Sequence, residues 1–143
     1  MKTLFTAFLF LCCFNAISQE DKPREVSFAI KEEKAIFPGC EKMGTSYKRE
    51  ECTNRKIYEF IGKHIDPEIA VKLGLKGKHR VKVAITIDRK GEISKLESNS
   101  DNKKITKAIK KTFKKFPTMI PYKTRGMPSS TRLILPITFM GIS

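Results

Sequence analysis

Histidine, the commonest catalytic acid or base, is scarce in this 143-residue chain. The chain has two histidines, no paired carboxylates at the ends of the predicted strands and no glycine-rich loop of the kind that holds phosphate groups. His64 falls on the apolar face of a predicted helix, where we expect a half-buried core residue, and we expect His79 to be solvated. Their spacing from Cys40 and Cys52 does not fit a zinc motif. We therefore predict a protein that is not an enzyme and that uses no metal and no cofactor.

The longest apolar stretch is also short. Residues 4–17 form a run of about 14 residues, below the roughly 20 that a bilayer-spanning helix needs. Lys2 precedes the run, and Ala16-Ile17-Ser18 follows with small residues at the positions a signal peptidase reads. The pattern predicts a signal peptide over residues 1–18 and an exported, periplasmic protein. The alternative, an uncleaved anchor in the inner membrane, stays open.

Acidic residues are scarce relative to basic ones, at 15 against 29, for a formal charge of +14. This excess favours an anionic partner or a charged surface that aids solubility. One face of the second predicted long helix carries seven lysines: Lys103, Lys104, Lys107, Lys110, Lys111, Lys114 and Lys115. No aromatic residue is interleaved for base stacking, so we expect no nucleic-acid partner. A solvated face and contact with an anionic cell-wall or lipid surface both remain open.

Removal of residues 1–18 leaves two cysteines, Cys40 and Cys52. An even pair in an exported protein predicts one disulfide bond. We interpret residues 19–52 as a leader that contains a short strand at 26–30 and a polar loop, over 41–50, closed by this disulfide. Residues 53–143 form the predicted domain.

Hydrophobic periodicity predicts five main elements in that domain. Residues 53–65 form a helix that ends at Asp66-Pro67, because the residue before proline disfavours helical geometry. The later elements are a strand over 80–88, a hairpin turn at Asp88–Gly91, a return strand over 93–97, the lysine-bearing helix that Pro117 stops, a loop over 117–130 and a strand over 131–139. A short helical turn over 70–73 lies between the first helix and the first strand.

The order α-β-β-α-β predicts an α+β sandwich in which two helices cover one face of a three-stranded antiparallel sheet. A right-handed crossover from the second strand to the third passes over the first and leaves the last strand at an edge. Pro136 fits this position because proline has no N–H for a ladder.

Several motifs along residues 26–139 resemble the C-terminal domain of TonB-like energy transducers of the Bacteroidetes type. They are Ile36-Phe37-Pro38-Gly39-Cys40, Ile87 to Ile93, Phe116 to Pro121, and Leu135 to Phe139. The chain departs from the family where Met119 replaces a frequent Trp and where Tyr122 replaces a frequent Gly. The resemblance implies a TonB C-terminal-like fold that recruits an extended peptide of an outer-membrane transporter by strand addition.

The implied contact residues lie on the last strand: Thr131, Arg132, Leu133, Ile134, Leu135 and Thr138. Lys123 and Arg125 are expected to meet acidic residues of the partner. The cytoplasmic-membrane helix and proline-rich spacer of a transducer are missing from the sequence, so we expect a periplasmic binding protein. Three alternatives stay open: a transducer anchored by residues 4–17, a basic cell-wall or surface-binding module, and a homodimer through the same edge.

Overall fold

A computed structural model describes residues 31–143. The predicted signal peptide and the predicted strand at 26–30 lie outside these described residues. In chain order the elements are β1 (Glu32–Glu33), α1 (Ser46–His64), α2 (Ile69–Lys72), β2 (Lys78–Ile87), β3 (Ile93–Ser98), α3 (Lys103–Phe113), β4 (Lys123–Thr124), β5 (Met127–Pro128) and β6 (Thr131–Met140).

The main sheet is antiparallel with the order β3-β2-β6. This confirms the predicted α+β class and the predicted edge position of the last strand. Val81, Val83, Ile85 and Ile87 of β2 are buried, because alternate residues of a strand face the same side of the sheet. The sheet therefore presents one apolar face, and the alternation of the sequence identified it.

Helices α1 and α3 supply the other half of the core. Ile57, Phe60 and Ile61 of α1 are buried in one cluster with Ile105, Ile109 and Phe113 of α3 and with the apolar face of the sheet. A side-chain hydrogen bond joins the helices, since the Thr112 hydroxyl donates to the His64 carbonyl at 3.1 Å. The bond satisfies one of the carbonyls that the end of α1 leaves free.

Two sequence predictions about the helices are wrong. The polar loop expected over residues 41–50 is partly helical, since α1 begins at Ser46, with the Thr45 hydroxyl accepting from the Lys48 N–H at 3.2 Å as an N-cap. The proposed domain boundary between residues 52 and 53 falls inside this helix. The second long helix ends at Phe113, before the expected stop at Pro117, and residues 114–115 form a turn.

The disulfide bond between Cys40 and Cys52 is present, with the two Cα atoms 5.8 Å apart and both residues buried. It ties the segment that begins with β1 to the middle of α1. That segment also belongs to a small antiparallel sheet of order β1-β4-β5. Strands β4 and β5 form a hairpin within residues 117–130, a region for which the sequence predicted only a loop.

Candidate functional site

Strand β6 is the longest edge of the main sheet. Its ten residues pair with β2 in continuous register from Thr131↔Ile87 to Met140↔Lys78. Among residues 31–143, no strand pairs with the opposite side of β6. That side therefore offers unpaired backbone groups, which are a template for a further strand.

The hydrogen bonds of Lys82 show which β6 residues carry those groups. The Lys82 N–H donates to the Asn99 side chain at 2.7 Å, and the Lys82 carbonyl accepts from the Asn99 N–H at 3.2 Å. Both bonds lie on the β3 side of β2, so Lys82 and its β6 partner Pro136 are a non-hydrogen-bonded pair. In an antiparallel ladder such pairs alternate with hydrogen-bonded ones. The backbone groups of Arg132, Ile134 and Thr138 consequently point away from β2, toward the free side.

Pro136 divides this free side in two. It belongs to the same outward set, but it has a carbonyl and no N–H. Arg132 and Ile134 thus offer complete donor and acceptor pairs in the N-terminal half of β6, whereas the C-terminal half is interrupted. A strand that adds to β6 forms the most hydrogen bonds along 131–135.

The side chains of the predicted contact residues fall on two faces. Arg132, Ile134 and Thr138 are exposed on the open face of the sheet, with Ile134 62% exposed. The other three, Thr131, Leu133 and Leu135, face the helices. The structure therefore divides the predicted contact residues between the two faces of the sheet. Three lie on the open face, and three lie on the face that packs against the helices.

Arg132 is bound across the sheet. Its guanidinium lies 3.1 Å from the Glu97 carboxylate, and Lys95 lies 2.9 Å from the same carboxyl group. The Lys95 hydrogen bond first, and the Arg132 charge to a smaller degree, lower the pKa of Glu97 below its usual value. Arg132 is thus held on the open face above β2.

A groove opens between α1 and the free side of β6. It has a volume of about 220 Å³ and is lined by Lys34, Ala35, Glu50, Thr53, Asn54, Ile57, Tyr122, Thr131 and Leu133. No residue of β2 or β3 lines it, so it lies on the β6 side of the main sheet. The sequence did not predict that residues of α1 and Tyr122 line this groove, because no local pattern indicates which distant residues meet beside a strand.

Lys123 and Arg125 lie in the β4–β5 hairpin rather than on β6. Lys123 is half-buried and lines a second cavity of about 370 Å³ together with Glu33 and Glu50. Arg125 is exposed at the turn, with a φ of 53° and its N–H bonded to the Lys31 carbonyl at 3.0 Å. The hairpin is followed directly by β6, so both residues precede the N-terminal half of that strand by fewer than ten positions in the sequence.

A comparison with known protein families matches the model of the TonB C terminal to residues 55–136, more than half of the chain. The chain belongs to the TonB C-terminal family. The predicted resemblance to the TonB C-terminal domain is thus confirmed. Comparison with curated proteins gave no match, and comparison with solved structures gave none.

The matched region of this TonB C-terminal domain contains β2, β3, α3 and β6 up to Pro136, and so includes the N-terminal half of the edge. Membership implies a non-catalytic role in TonB-dependent transport and interaction with envelope or transporter proteins. Within residues 31–143, no helix is long and apolar enough to cross a membrane.

The two histidines differ from their predicted positions. His64 is exposed at the end of α1, although its ring stacks on Phe60 with the ring centroids 4.2 Å apart. His79, expected to be solvated, is half-buried, with Nε2 2.8 Å from the Lys76 carbonyl. In the described part of the chain, no three His, Cys, Asp or Glu residues cluster as metal ligands do.

All seven predicted lysines are exposed: five lie on the outer face of α3, and Lys114 and Lys115 lie in the turn that follows, which together form the basic face of α3. None forms an ion pair with a residue in the 31–143 range. This basic face lies on the helix side of the domain, whereas the groove opens at the β6 edge.

Proposed function

We propose that this chain is a non-catalytic periplasmic protein of TonB-dependent transport that binds an extended peptide of an outer-membrane transporter or related envelope protein. The peptide adds as a strand to β6. The observation that carries the proposal is the outward set of backbone groups on Arg132 and Ile134, which have no partner strand among the described residues. Main-chain hydrogen bonds of this kind supply affinity in strand addition.

Titration of the ¹⁵N-labelled protein with synthetic N-terminal segments of outer-membrane transporters tests the proposal. We expect the largest amide chemical-shift changes at residues 131–135 and smaller changes at Thr138, beyond the interruption at Pro136. The absence of any shift change in β6 with every segment would reject strand addition.

A matched pair of variants separates edge binding from general damage. Ile134→Pro removes an outward N–H in the uninterrupted half of the edge, and Thr138→Pro removes one beyond Pro136. We expect Ile134→Pro to weaken peptide binding at least about tenfold, which corresponds to roughly one lost hydrogen bond of about 1.5 kcal/mol. Thr138→Pro is expected to change the affinity less than about threefold. Equal losses would place the peptide elsewhere on β6.

The basic face of α3 supports a second candidate function, binding to an anionic cell-wall or lipid surface. Seven exposed lysines without an ion-pair partner among the described residues release counterions when they meet a polyanion. Retention of the protein on purified peptidoglycan at low and high salt tests this function. Replacement of Lys107, Lys111 and Lys114 by Gln is expected to abolish salt-sensitive retention. Retention that changes neither with salt nor with these substitutions would contradict this second function.

We also propose that residues 1–18 are a cleaved signal peptide and that the protein is free in the periplasm. Support comes from the small residues at Ala16 and Ser18 and from the shortness of the apolar run. Intact-mass measurement of protein from the cell envelope decides between this proposal and an anchored transducer. A mass that begins at Gln19 supports export and cleavage, whereas a mass that retains residues 4–17 supports the anchor.

A homodimer through β6 is a competing use of the same edge. Sedimentation equilibrium over a range of concentrations detects it. If a dimer forms, Ile134→Pro is expected both to dissociate the dimer and to weaken peptide binding, because both interactions need the same backbone groups.

A further inference from the structure

We propose that the groove between α1 and β6 is a binding pocket for one large, uncharged, apolar side chain of the peptide that adds to β6. This inference rests on the proposed function, since only a strand on the free side of β6 brings a side chain to the groove. It goes beyond that function because it specifies the chemistry of the partner at one position.

The register of the added strand directs a side chain into the groove. The outward backbone groups of Arg132 and Ile134 hydrogen-bond to the added strand, so the residue between them, Leu133, faces a partner in a non-hydrogen-bonded pair. Residues paired across neighbouring strands point to the same face of the sheet, with Cβ atoms about 4.5–5.5 Å apart. Leu133 points toward the helices and lines the groove, and the residue opposite it therefore enters the groove.

The size of the groove suits one large side chain. An apolar cavity of about 150 Å³ is sufficient to bind benzene. The groove has about 220 Å³ and is lined by Thr131 and Leu133, in the half of β6 to which the added strand is proposed to bind. A leucine, methionine or phenylalanine side chain fits this volume, whereas alanine leaves most of it unfilled.

The lining favours an uncharged occupant. Ala35, Ile57, Tyr122 and Leu133 supply an apolar surface, with Ala35 and Ile57 buried. Lys34 and Glu50 also line the groove and are paired with each other, so their charges offset and the lining has no net charge. A lone charge that enters such a site loses hydration without gaining a partner.

A set of host peptides tests the pocket on the purified protein. Each is Ac-Ser-Thr-Ser-Thr-X-Thr-Ser-Thr-Ser-NH₂, with X as Phe, Leu, Ala or Asp, so that X is the only position at which a large apolar residue occurs. Burial of the Phe or Leu side chain predicts roughly tenfold tighter binding than for the Ala peptide. We expect the Asp peptide to bind less tightly than the Ala peptide.

Nuclear Overhauser effects locate the side chain directly. The phenyl protons of the Phe peptide are expected to contact the methyl groups of Leu133 and Ile57. Contacts to the Ile134 methyl groups alone would put the side chain on the open face and overturn the proposal.

Asn54→Trp provides an independent variant, because Asn54 is exposed on α1 and lines the groove. We expect the indole ring to occupy the groove and to remove the preference for Phe over Ala while the Ala peptide keeps its affinity. Glu51→Trp, an exposed position on the same helix that does not line the groove, is the control and is expected to retain the preference.

The outcomes distinguish this inference from the proposed function. Peptides that bind along β6 with equal affinity for Phe, Leu and Ala would overturn the pocket and leave strand addition intact. The pocket is likewise overturned if transporter segments bind but no host peptide does. If neither transporter segments nor host peptides bind to β6, the proposed function itself fails.

Discussion

The two edges of the main sheet, β3 and β6, differ in how they meet solvent. Strand β3 has six residues, and its pairing with β2 is interrupted by a register shift between Thr86 and Ile87. Its exposed residues include Lys95 and Glu97, and Lys110 of α3 and Lys114 just after α3 border its surface. Strand β6 has ten residues in continuous register and exposes Ile134.

Short length, bulges and charged residues are the devices by which proteins prevent a sheet edge from pairing with another chain. Strand β3 has all three. Strand β6 has one charged residue, Arg132, which is paired with Glu97, and Pro136, which blocks one donor and leaves the N-terminal half available. The difference favours β6 over β3 as the edge to which the proposed strand adds.

The largest expected effect comes from proline substitutions that alternate along β6. Leu133→Pro removes an N–H that bonds to β2, so we expect it to lower the free energy of unfolding by about 3 kcal/mol or more. Ile134→Pro removes an outward N–H and is expected to cost about 1 kcal/mol. Urea denaturation measures both. Equal losses would show that the assigned direction of the β6 backbone is wrong.

Gly91 lies in the hairpin turn that joins β2 to β3. Its φ is 86°, and an added Cβ would lie 1.7 Å from the Met119 carbonyl oxygen. Gly91→Ala is therefore expected to lower the free energy of unfolding by about 3 kcal/mol, because the cost of the strained backbone adds to the cost of displacing the loop that contains Met119. Gly126→Ala is the control, with a φ of 78° and no atom within 4 Å of the new Cβ, for an expected cost of about 1 kcal/mol. Thermal or urea unfolding that gives the same loss for both variants would exclude the Met119 contact as the cause.

Reduction of the Cys40–Cys52 disulfide is expected to lower stability mainly on the β6 side of the domain. The bond spans a sequence separation of 12 and holds the segment that lines the groove through Lys34 and Ala35. The chain-entropy treatment predicts a stability loss of about 2–3 kcal/mol. Hydrogen exchange is expected to accelerate first at residues 31–40, with β3 little affected. A Cys40→Ala, Cys52→Ala double variant should not respond to the reductant, and equal acceleration in β3 would contradict the assignment.

The smallest expected effect concerns Glu97, which links Lys95 on β3 to Arg132 on β6. Hydrogen bonding to Lys95, with the charge of Arg132, lowers the pKa of this carboxyl group below its usual value of 4.5. A lowered folded-state pKa means that the stabilisation is complete above pH 4.5 and is lost as the pH falls through the folded-state value. We expect Glu97→Gln to lower the free energy of unfolding slightly at pH 7, because the pair is exposed, and to have almost no effect at low pH, where Glu97 is protonated, so that the variant loses slightly less stability in acid. A larger effect well below the folded-state pKa than at pH 7 would contradict this sign.

Much of the sheet was predictable from local patterns. Alternation along β2 and β6 identified both strands and the residues of their buried face, because a strand places every second side chain on the same side. Pro136 and the order of the elements together predicted the edge position of β6. The α3 lysines and the Cys40–Cys52 pair were identified from spacing and number alone.

Other features depended on contacts between distant residues. Helix α1 begins at Ser46 within a polar segment, where Thr45 provides the cap and the buried Cys52 attaches the helix to Cys40. The small β1-β4-β5 sheet consists of strands of two residues, too short to show a period. Neither feature has a local hydrophobic pattern that would have revealed it.

The sequence by itself thus determined the α+β class, the family and which strand forms the edge, since periodicity and element order are local properties of the chain. The tertiary structure decided which β6 backbone groups face outward and where the groove lies. The first depends on the pairing of Lys82 with Asn99, seventeen positions away. The second depends on how α1, residues 34–35 and Tyr122 come together beside β6, which tertiary packing decides and no single stretch of the sequence reveals.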